Sequence, residues 1–338
     1  MENRDFFERL VLTFPAAVMM AQSSAQGSKE GPNLSRIIFG GAAFSHFYSA
    51  NLDTDEVPRI LQRSLSAGIT SIDTSPYYGD SEIVIGNALR KLPGVKRTEY
   101  QLCTKAGRIA MKEFDYSYNG IIASVERSLQ RLGTNYLDIV YCHDVEFQNL
   151  NQIKIALSAL ADLKKKGVIR FVGISAYPLS ALLNTCESLP GQIDVVMSYC
   201  HFHLQNTSLQ AIAPKIKHTG VKQLLNASPL CMGLLRSQGL PGAWHPASSN
   251  YALLRDVREA AYFCEKQGED LAEMATRFSL SKWPGSTVLG MSSIVEVESA
   301  LRSFESVQSK SHLDQFMYDQ IRGIIRDCLD WEWQSPPE

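Results

Sequence analysis

After Gly31-Pro32 the sequence alternates, eight times over, between a short run of strand-forming residues and a longer helical pattern. Few folds accept that order. The strand-like runs cover residues 37–41, 70–73, 100–105, 137–143, 169–175, 194–199, 221–227 and 287–290. Helical patterns fall between and after them, including 54–67, 81–91, 119–132, 151–166, 249–267, 270–280 and 295–304. In the third of these, Ile122, Val125, Leu129 and Leu132 recur at the spacing of one helical face. A strand, a helix and a further strand in regular succession imply parallel pairing with right-handed crossovers. Near-continuous apolar strands such as Ile139-Val140-Tyr141 and Val195-Val196-Met197 read as buried on both faces. Two α/β architectures meet these conditions: a doubly wound sheet, or a closed (β/α)8 TIM barrel with an outer ring of helices. The first strand-to-helix turn, Gly40-Gly41-Ala42-Ala43, lacks the third glycine of a dinucleotide-binding G-x-G-x-x-G. The sequence therefore predicts the eight-stranded barrel.

A barrel commonly uses a chain of 338 residues as one unit. We read residues 31–338 as a single barrel domain and residues 1–30 as an N-terminal extension. Within the extension, residues 10–21 are apolar, but Glu2, Asp5 and Glu8 stand where a signal peptide carries positive charge. The stretch is also too short to cross a bilayer, and no membrane association is expected. Lys and Arg total 33 against 35 for Asp and Glu, which leaves no cationic surplus for a phosphate backbone. No nucleic-acid partner is expected either. The seven cysteines form no C-x-x-C pair and their number is odd, which favours a reducing, cytoplasmic setting. Cys200-His201-Phe202-His203 has the residue types of a metal site. Its ligands alternate along an extended segment without a helpful carboxylate, so no metal is expected. The Pro-, Gly- and Ser-rich loop at 237–248 reads as a lid or specificity loop within the barrel.

In such a barrel, polar residues at the C-terminal strand ends gather at one mouth. Asp73 ends the second strand, Lys105 the third and His143 the fourth, and Tyr78 lies five residues beyond Asp73. Each has an ordinary explanation alone, as an N-cap, a surface lysine, a core histidine or a loop tyrosine. Four titratable groups at three adjacent strand ends make a candidate active site. A tyrosine with an ordinary pKa of about 10 is a poor base at neutral pH. A neighbouring Lys105 ammonium is expected to lower that pKa, with Asp73 anchoring the lysine.

The segments SIDTSPYYGDSEIVIGNAL (71–89), CTKAGR (103–108), LDIVYCHD (137–144), KKKGVIRFVGIS (164–175) and ASPLCMGLL (227–235) resemble, in content and order, those of the aldo-keto reductase family. The similarity runs from about residue 37 to residue 301. SYCHFHLQN (198–206), LNASPLCMGLLRSQ (225–238) and WHP (244–246) narrow it to the branch that oxidises D-arabinose-type and L-galactose-type aldoses at C1. The resemblance implies a catalytic tetrad of Asp73, Tyr78, Lys105 and His143, in which Tyr78 exchanges a proton with the reacting oxygen and His143 orients that oxygen. It implies a nicotinamide cofactor that takes a hydride from C1, giving an aldonolactone.

The family pattern also places cofactor contacts. Ser175 matches the serine of a Ser-Asn pair that grips the carboxamide, but Ala176 replaces the asparagine. Ser198 is the expected substitute for a glutamine of the sixth strand. Ser228 and Leu230 match pyrophosphate-binding positions, whereas Ala227 replaces the aromatic residue that stacks on the nicotinamide. In relatives that use NADPH, a lysine and an arginine after the eighth strand grip the 2′-phosphate; Gly290 and Glu296 fall at those positions here. A carboxylate repels a phosphate and accepts hydrogen bonds from a free ribose hydroxyl, so NAD is the expected cofactor. The helix opening near Ser292-Ser293 would offer backbone N–H groups to a diphosphate or ribose. Phe47, Tyr48, Asp144, Trp244 and His245 are the candidate sugar contacts, because a sugar needs both stacking faces and hydroxyl partners. The alternatives are an NADPH-dependent carbonyl reductase and a non-catalytic, cofactor-sensing barrel subunit. The sequence leaves the oligomeric state open.

Overall fold

The computed structural model describes residues 31–46, 52–309 and 312–335. The N-terminal extension, Phe47 and Tyr48 lie outside them. Ten strands and ten α-helices occur among the described residues, in the order β1 (Ile37–Gly40), α1 (Val57–Ser66), β2 (Ser71–Asp73), α2 (Ser81–Arg90) and β3 (Gln101–Ala106). A hairpin of β4 (Arg108–Ala110) and β5 (Glu113–Phe114) follows, then α3 (Tyr118–Leu132), β6 (Leu137–His143), α4 (Leu150–Lys165) and β7 (Ile169–Ala176). The chain continues through α5 (Leu179–Ser188), β8 (Val195–Tyr199), α6 (Leu209–His218), β9 (Gln223–Ala227), α7 (Tyr251–Lys266) and α8 (Leu271–Lys282). It ends in β10 (Thr287–Gly290), α9 (Ile294–Gln308) and α10 (His312–Ile324). Eight strands close into a parallel barrel in the order β1-β10-β9-β8-β7-β6-β3-β2. The expected (β/α)8 architecture is therefore present.

Successive residues of a strand face opposite sides, and here the two sides are two separate cores. Ile38, Cys103, Ile139, Tyr141, Phe171, Val195, Met197, Leu225, Ala227 and Val288 fill the barrel interior. Their immediate neighbours, among them Ile37, Leu102, Val140, Cys142, Val172 and Leu224, pack outward against the helices. Space for the inward Tyr141 ring comes from Gly173, where a Cβ would stand 2.4 Å from that ring. This alternation, continued to the C-terminal strand ends, decides which polar side chains reach the mouth. It turns Asp73, Lys105, His143 and Ser175 inward.

Local sequence fixes where the helices begin. Ser117 caps α3 by accepting from Gly120 N, and Gly133 closes it in the left-handed conformation at φ 67°. Asn149 and Gln152 form a reciprocal capping box at the start of α4. Asp270 accepts from two backbone amides of α8, and Ser293 caps α9. Three helices, α5, α6 and α10, and the β4-β5 hairpin are additions to the elements expected from periodicity. The hairpin leaves the mouth directly after β3 and carries Arg108 beside it.

Candidate active site

Asp73, Lys105 and His143 are buried at the ends of three neighbouring strands. Lys105 Nζ donates to Asp73 Oδ1 (2.5 Å) and to Thr74 O (2.9 Å), and it stands 4.8 Å from the centroid of the Tyr78 ring. The Tyr78 ring lies edge-on to His143, with centroids 5.8 Å apart and planes at 90°. Its position is set by the turn after β2, in which Tyr78 N donates to Ser75 O. The four groups expected to converge lie together in one cluster of contacts.

Burial sets the protonation states. It pulls Lys105 down, but Asp73 and Tyr78 together raise it further than burial lowers it, so the ammonium is retained. The expectation that Lys105 lowers the Tyr78 pKa needs correction. Burial raises it, Lys105 opposes, and Asp73 and Asp144 add to the rise, leaving the phenol above its ordinary value. His143 is held well below the usual imidazole range by burial, with Lys105 and Arg108 adding to the effect. It is therefore a neutral ring at physiological pH. Its Nδ1 meets Ser75 Oγ at 3.1 Å, which directs the Nε2 edge toward the pocket.

Arg108 and Asp144 complete the wall beside His143. Asp144 has left-handed backbone at φ 58°, and its Oδ2 pairs with Arg108 and lies 3.6 Å from His143 Nε2. The Arg108 guanidinium rests over Tyr77 at 4.1 Å and faces Phe114 and Phe147, which stack on each other at 5.0 Å. Glu146, one turn further, accepts from Tyr177 N and Ser335 Oγ, and burial beside Asp144 pushes its carboxyl up to about 7. Sequence reasoning missed Arg108, although it closes the CTKAGR segment, because its partner lies 36 positions away. Glu146 gave no signal beyond being an acid near a strand end.

The expected cofactor contacts divide into those the fold turns toward the mouth and those it does not. Ser175 Oγ is inward and accepts from Asp144 N (3.4 Å), so its own O–H stays available. Ser198 is a correction. It pairs in register with Ala176, an outer-core residue, and its Oγ meets His201 Nδ1 at 3.4 Å. Met197, the register partner of Ser175, takes the inward position instead. Ser228 has left-handed backbone at φ 58°, and Leu230 precedes a short 3-10 turn at Cys231–Gly233. Gly290 ends β10 opposite Gly40, where a Cβ on Gly40 would stand 3.0 Å from Gly290 N. Glu296 folds back from the first turn of α9 and accepts from Ser292 N (2.5 Å) and Ser292 Oγ (2.9 Å). That bond occupies Ser292 N, an amide expected to face a diphosphate.

Among the expected sugar contacts, Asp144 stands in the pocket wall. His245 is a correction: its ring is wholly buried, with Nε2 on Cys231 O (2.9 Å) and Nδ1 accepting from Ala247 N (3.0 Å). Both nitrogens tie down the 237–248 loop, so neither serves a sugar. Trp244 beside it is exposed. His201 and His203 also spend ring nitrogens on backbone carbonyls of their own segment.

The inward Ser175 hydroxyl, the side-chain-free ends of β1 and β10, and the Glu296 carboxylate form a donor and acceptor set that fits a nicotinamide dinucleotide. The profile of the aldo/keto reductase family matches residues 36–321. The chain is 40% identical over 318 residues to D-arabinose 1-dehydrogenase of Saccharomyces cerevisiae, covering 90% of this chain and 94% of that one. It is 35% identical over 311 residues to L-galactose dehydrogenase of Arabidopsis thaliana, covering 90% and 95%. Its fold is similar to that of the holo aldo-keto reductase AKR11C1 from Bacillus halodurans, with a TM-score of 0.68 at 22% identity, over 90% of this chain and 96% of the other.

Proposed function

The chain belongs to the aldo-keto reductase family, and from that premise we propose that it is an NAD-dependent aldose 1-dehydrogenase, acting on D-arabinose-type or L-galactose-type sugars. The observation that carries the reading is the buried Asp73–Lys105 ion pair set against Tyr78, with neutral His143 beside that ring. The two relatives named for D-arabinose and L-galactose supply the substrate class.

When bound, the nicotinamide supplies the acceptor for the hydride that leaves C1. Every other step belongs to the protein. Tyr78 takes the C1 hydroxyl proton as the carbonyl of the lactone forms, and it returns that proton in the reverse direction. Lys105 stabilises the charge that develops on the phenol oxygen, and Asp73 holds the ammonium in place. His143 donates from Nε2 to the reacting oxygen; its Nδ1 bond to Ser75 keeps the ring turned that way. Ser175 would orient the carboxamide from the barrel interior, and Ser228 and Leu230 would border the pyrophosphate. Glu296 favours NAD because its carboxylate stands on the first turn of α9, where a 2′-phosphate would be repelled.

Initial rates with D-arabinose, L-galactose, L-fucose and D-xylose, each with NAD and with NADP, test this reading through the absorbance of the reduced cofactor. We expect turnover of at least one aldose and a kcat/KM at least about tenfold higher with NAD, a difference of about 1.4 kcal/mol. A preference for NADP removes the Glu296 argument. Tight cofactor binding without oxidation of any aldose overturns the enzymatic assignment.

A further inference from the structure

We propose that Asp144, held in place by Arg108, accepts a hydrogen bond from the hydroxyl on the carbon next to the reacting one and so makes the enzyme selective for sugars that carry it. The inference rests on the aldose reading above and assigns a substrate group to one residue of the pocket wall.

The geometry gives the reason. His143 Nε2, which faces the reacting oxygen, stands 3.6 Å from Asp144 Oδ2. Neighbouring hydroxyls of a sugar in gauche arrangement are about one hydrogen-bond length apart, near 2.8 Å. A sugar whose C1 oxygen meets His143 therefore brings its C2 hydroxyl to the Asp144 carboxylate. The partners of that carboxylate, Arg108 and His143, both meet Oδ2. Oδ1 makes no hydrogen bond among the described residues and is available to a hydroxyl.

The pair is built to keep its position. Asp144 adopts left-handed backbone, uncommon for a residue with a side chain, and its N donates to Ser175 Oγ. Arg108 cannot swing away, because Nη2 donates to Met111 O (3.1 Å) and its guanidinium is packed by Tyr77, Phe114 and Phe147. Arg108 is thus a positioning residue: it fixes the carboxylate and leaves one oxygen free. A substrate without the C2 hydroxyl leaves that buried acceptor unpaired, and sites of this kind reject the shorter analogue strongly.

The test compares kcat/KM for D-arabinose with that for 2-deoxy-D-ribose, which is the same sugar without its C2 hydroxyl; if another aldose is preferred, its own 2-deoxy form takes that place. The wild-type enzyme should favour the full aldose by roughly tenfold to a hundredfold, the range for a hydrogen bond to a charged group. In Asp144→Ala the ratio should fall to within about threefold of unity, whatever the change in absolute rate. Asp144→Asn keeps the shape of the side chain and should give an intermediate ratio. General damage to the fold lowers both sugars together and leaves the ratio alone. Equal use of the two sugars by the wild-type enzyme, or an unchanged ratio in a folded Asp144 variant, overturns the proposal. Failure to oxidise any aldose overturns the parent reading as well, and is a separate result.

Discussion

Tyr78 stands under two opposing influences, and which one wins decides how activity should depend on pH. Burial disfavours the phenolate, whereas the Lys105 ammonium favours it, and the net shift is upward. At neutral pH Tyr78 therefore carries its proton, which suits a general acid for reduction. Oxidation needs the deprotonated form, so its kcat/KM should rise by about tenfold per pH unit across about pH 7 to 9, without a plateau. A plateau reached near pH 7.5 would show that Lys105 dominates and that the phenol is acidified instead. Reduction should show no inflection near pH 6.5, since His143 stays neutral far below that value. The identities of these residues were legible in the sequence because each ends a strand or begins the loop after one. Their protonation was not, because desolvation depends on what covers a group from all sides. His245 shows the same limit: its residue type suits a sugar, and only packing reveals that both nitrogens are engaged.

The strand-helix elements carry the site through alternation and through their termini. Ser198 lies one position off the inward face of β8, because alternation decides by parity and gives that face to Met197. The same alternation turns Asp73, Lys105, His143 and Ser175 to one side. At the start of α9, Glu296 bonds Ser292, and on the proposed reading its carboxylate would also face the cofactor ribose. Glu296→Arg should raise kcat/KM with NADP by tenfold or more, while loss of the Ser292 bonds costs about 1 kcal/mol of stability. Unaltered cofactor preference would place the ribose elsewhere. Helix packing gives an independent check. Within α2, a Cβ on Gly86 would lie 2.1 Å from Arg131 O at the end of α3. Gly86→Ala should therefore destabilise the protein by about 1–3 kcal/mol, read as a lower urea midpoint at constant m. Helices α5 and α6 complete the alternation after β7 and β8, with Pro178 at the N-cap of one and Pro214 inside the other. The β4-β5 strands are too short to show alternation, yet they carry Arg108 to the mouth.

At the level of the whole molecule, the barrel separates stability from chemistry. Near the N-terminal strand ends, Asp138 pairs with Arg97 and Arg170, and Asp194 with Lys164 and Lys222. At the other end the Asp73–Lys105 and Asp144–Arg108 pairs are more buried, and the C-terminal segment returns to border them. Trp333 stacks on Tyr177 at 3.9 Å, while Glu332 accepts from Asn206 and Ser208. No periodic pattern marks that segment, so its return to the mouth could not be read from sequence. The closed barrel could, because eight strand-helix alternations leave few other ways to bury every strand. No helix among the described residues is long and apolar enough to cross a membrane. On the proposed reading, this mouth moves a hydride from C1 of an aldose to a nicotinamide. The most direct measurement uses D-arabinose, or the preferred aldose, carrying deuterium at C1, with NMR of the reduced cofactor. One deuterium is expected at the nicotinamide C4 for each lactone formed, together with a slower turnover. Reduced cofactor that contains no deuterium would contradict that reading.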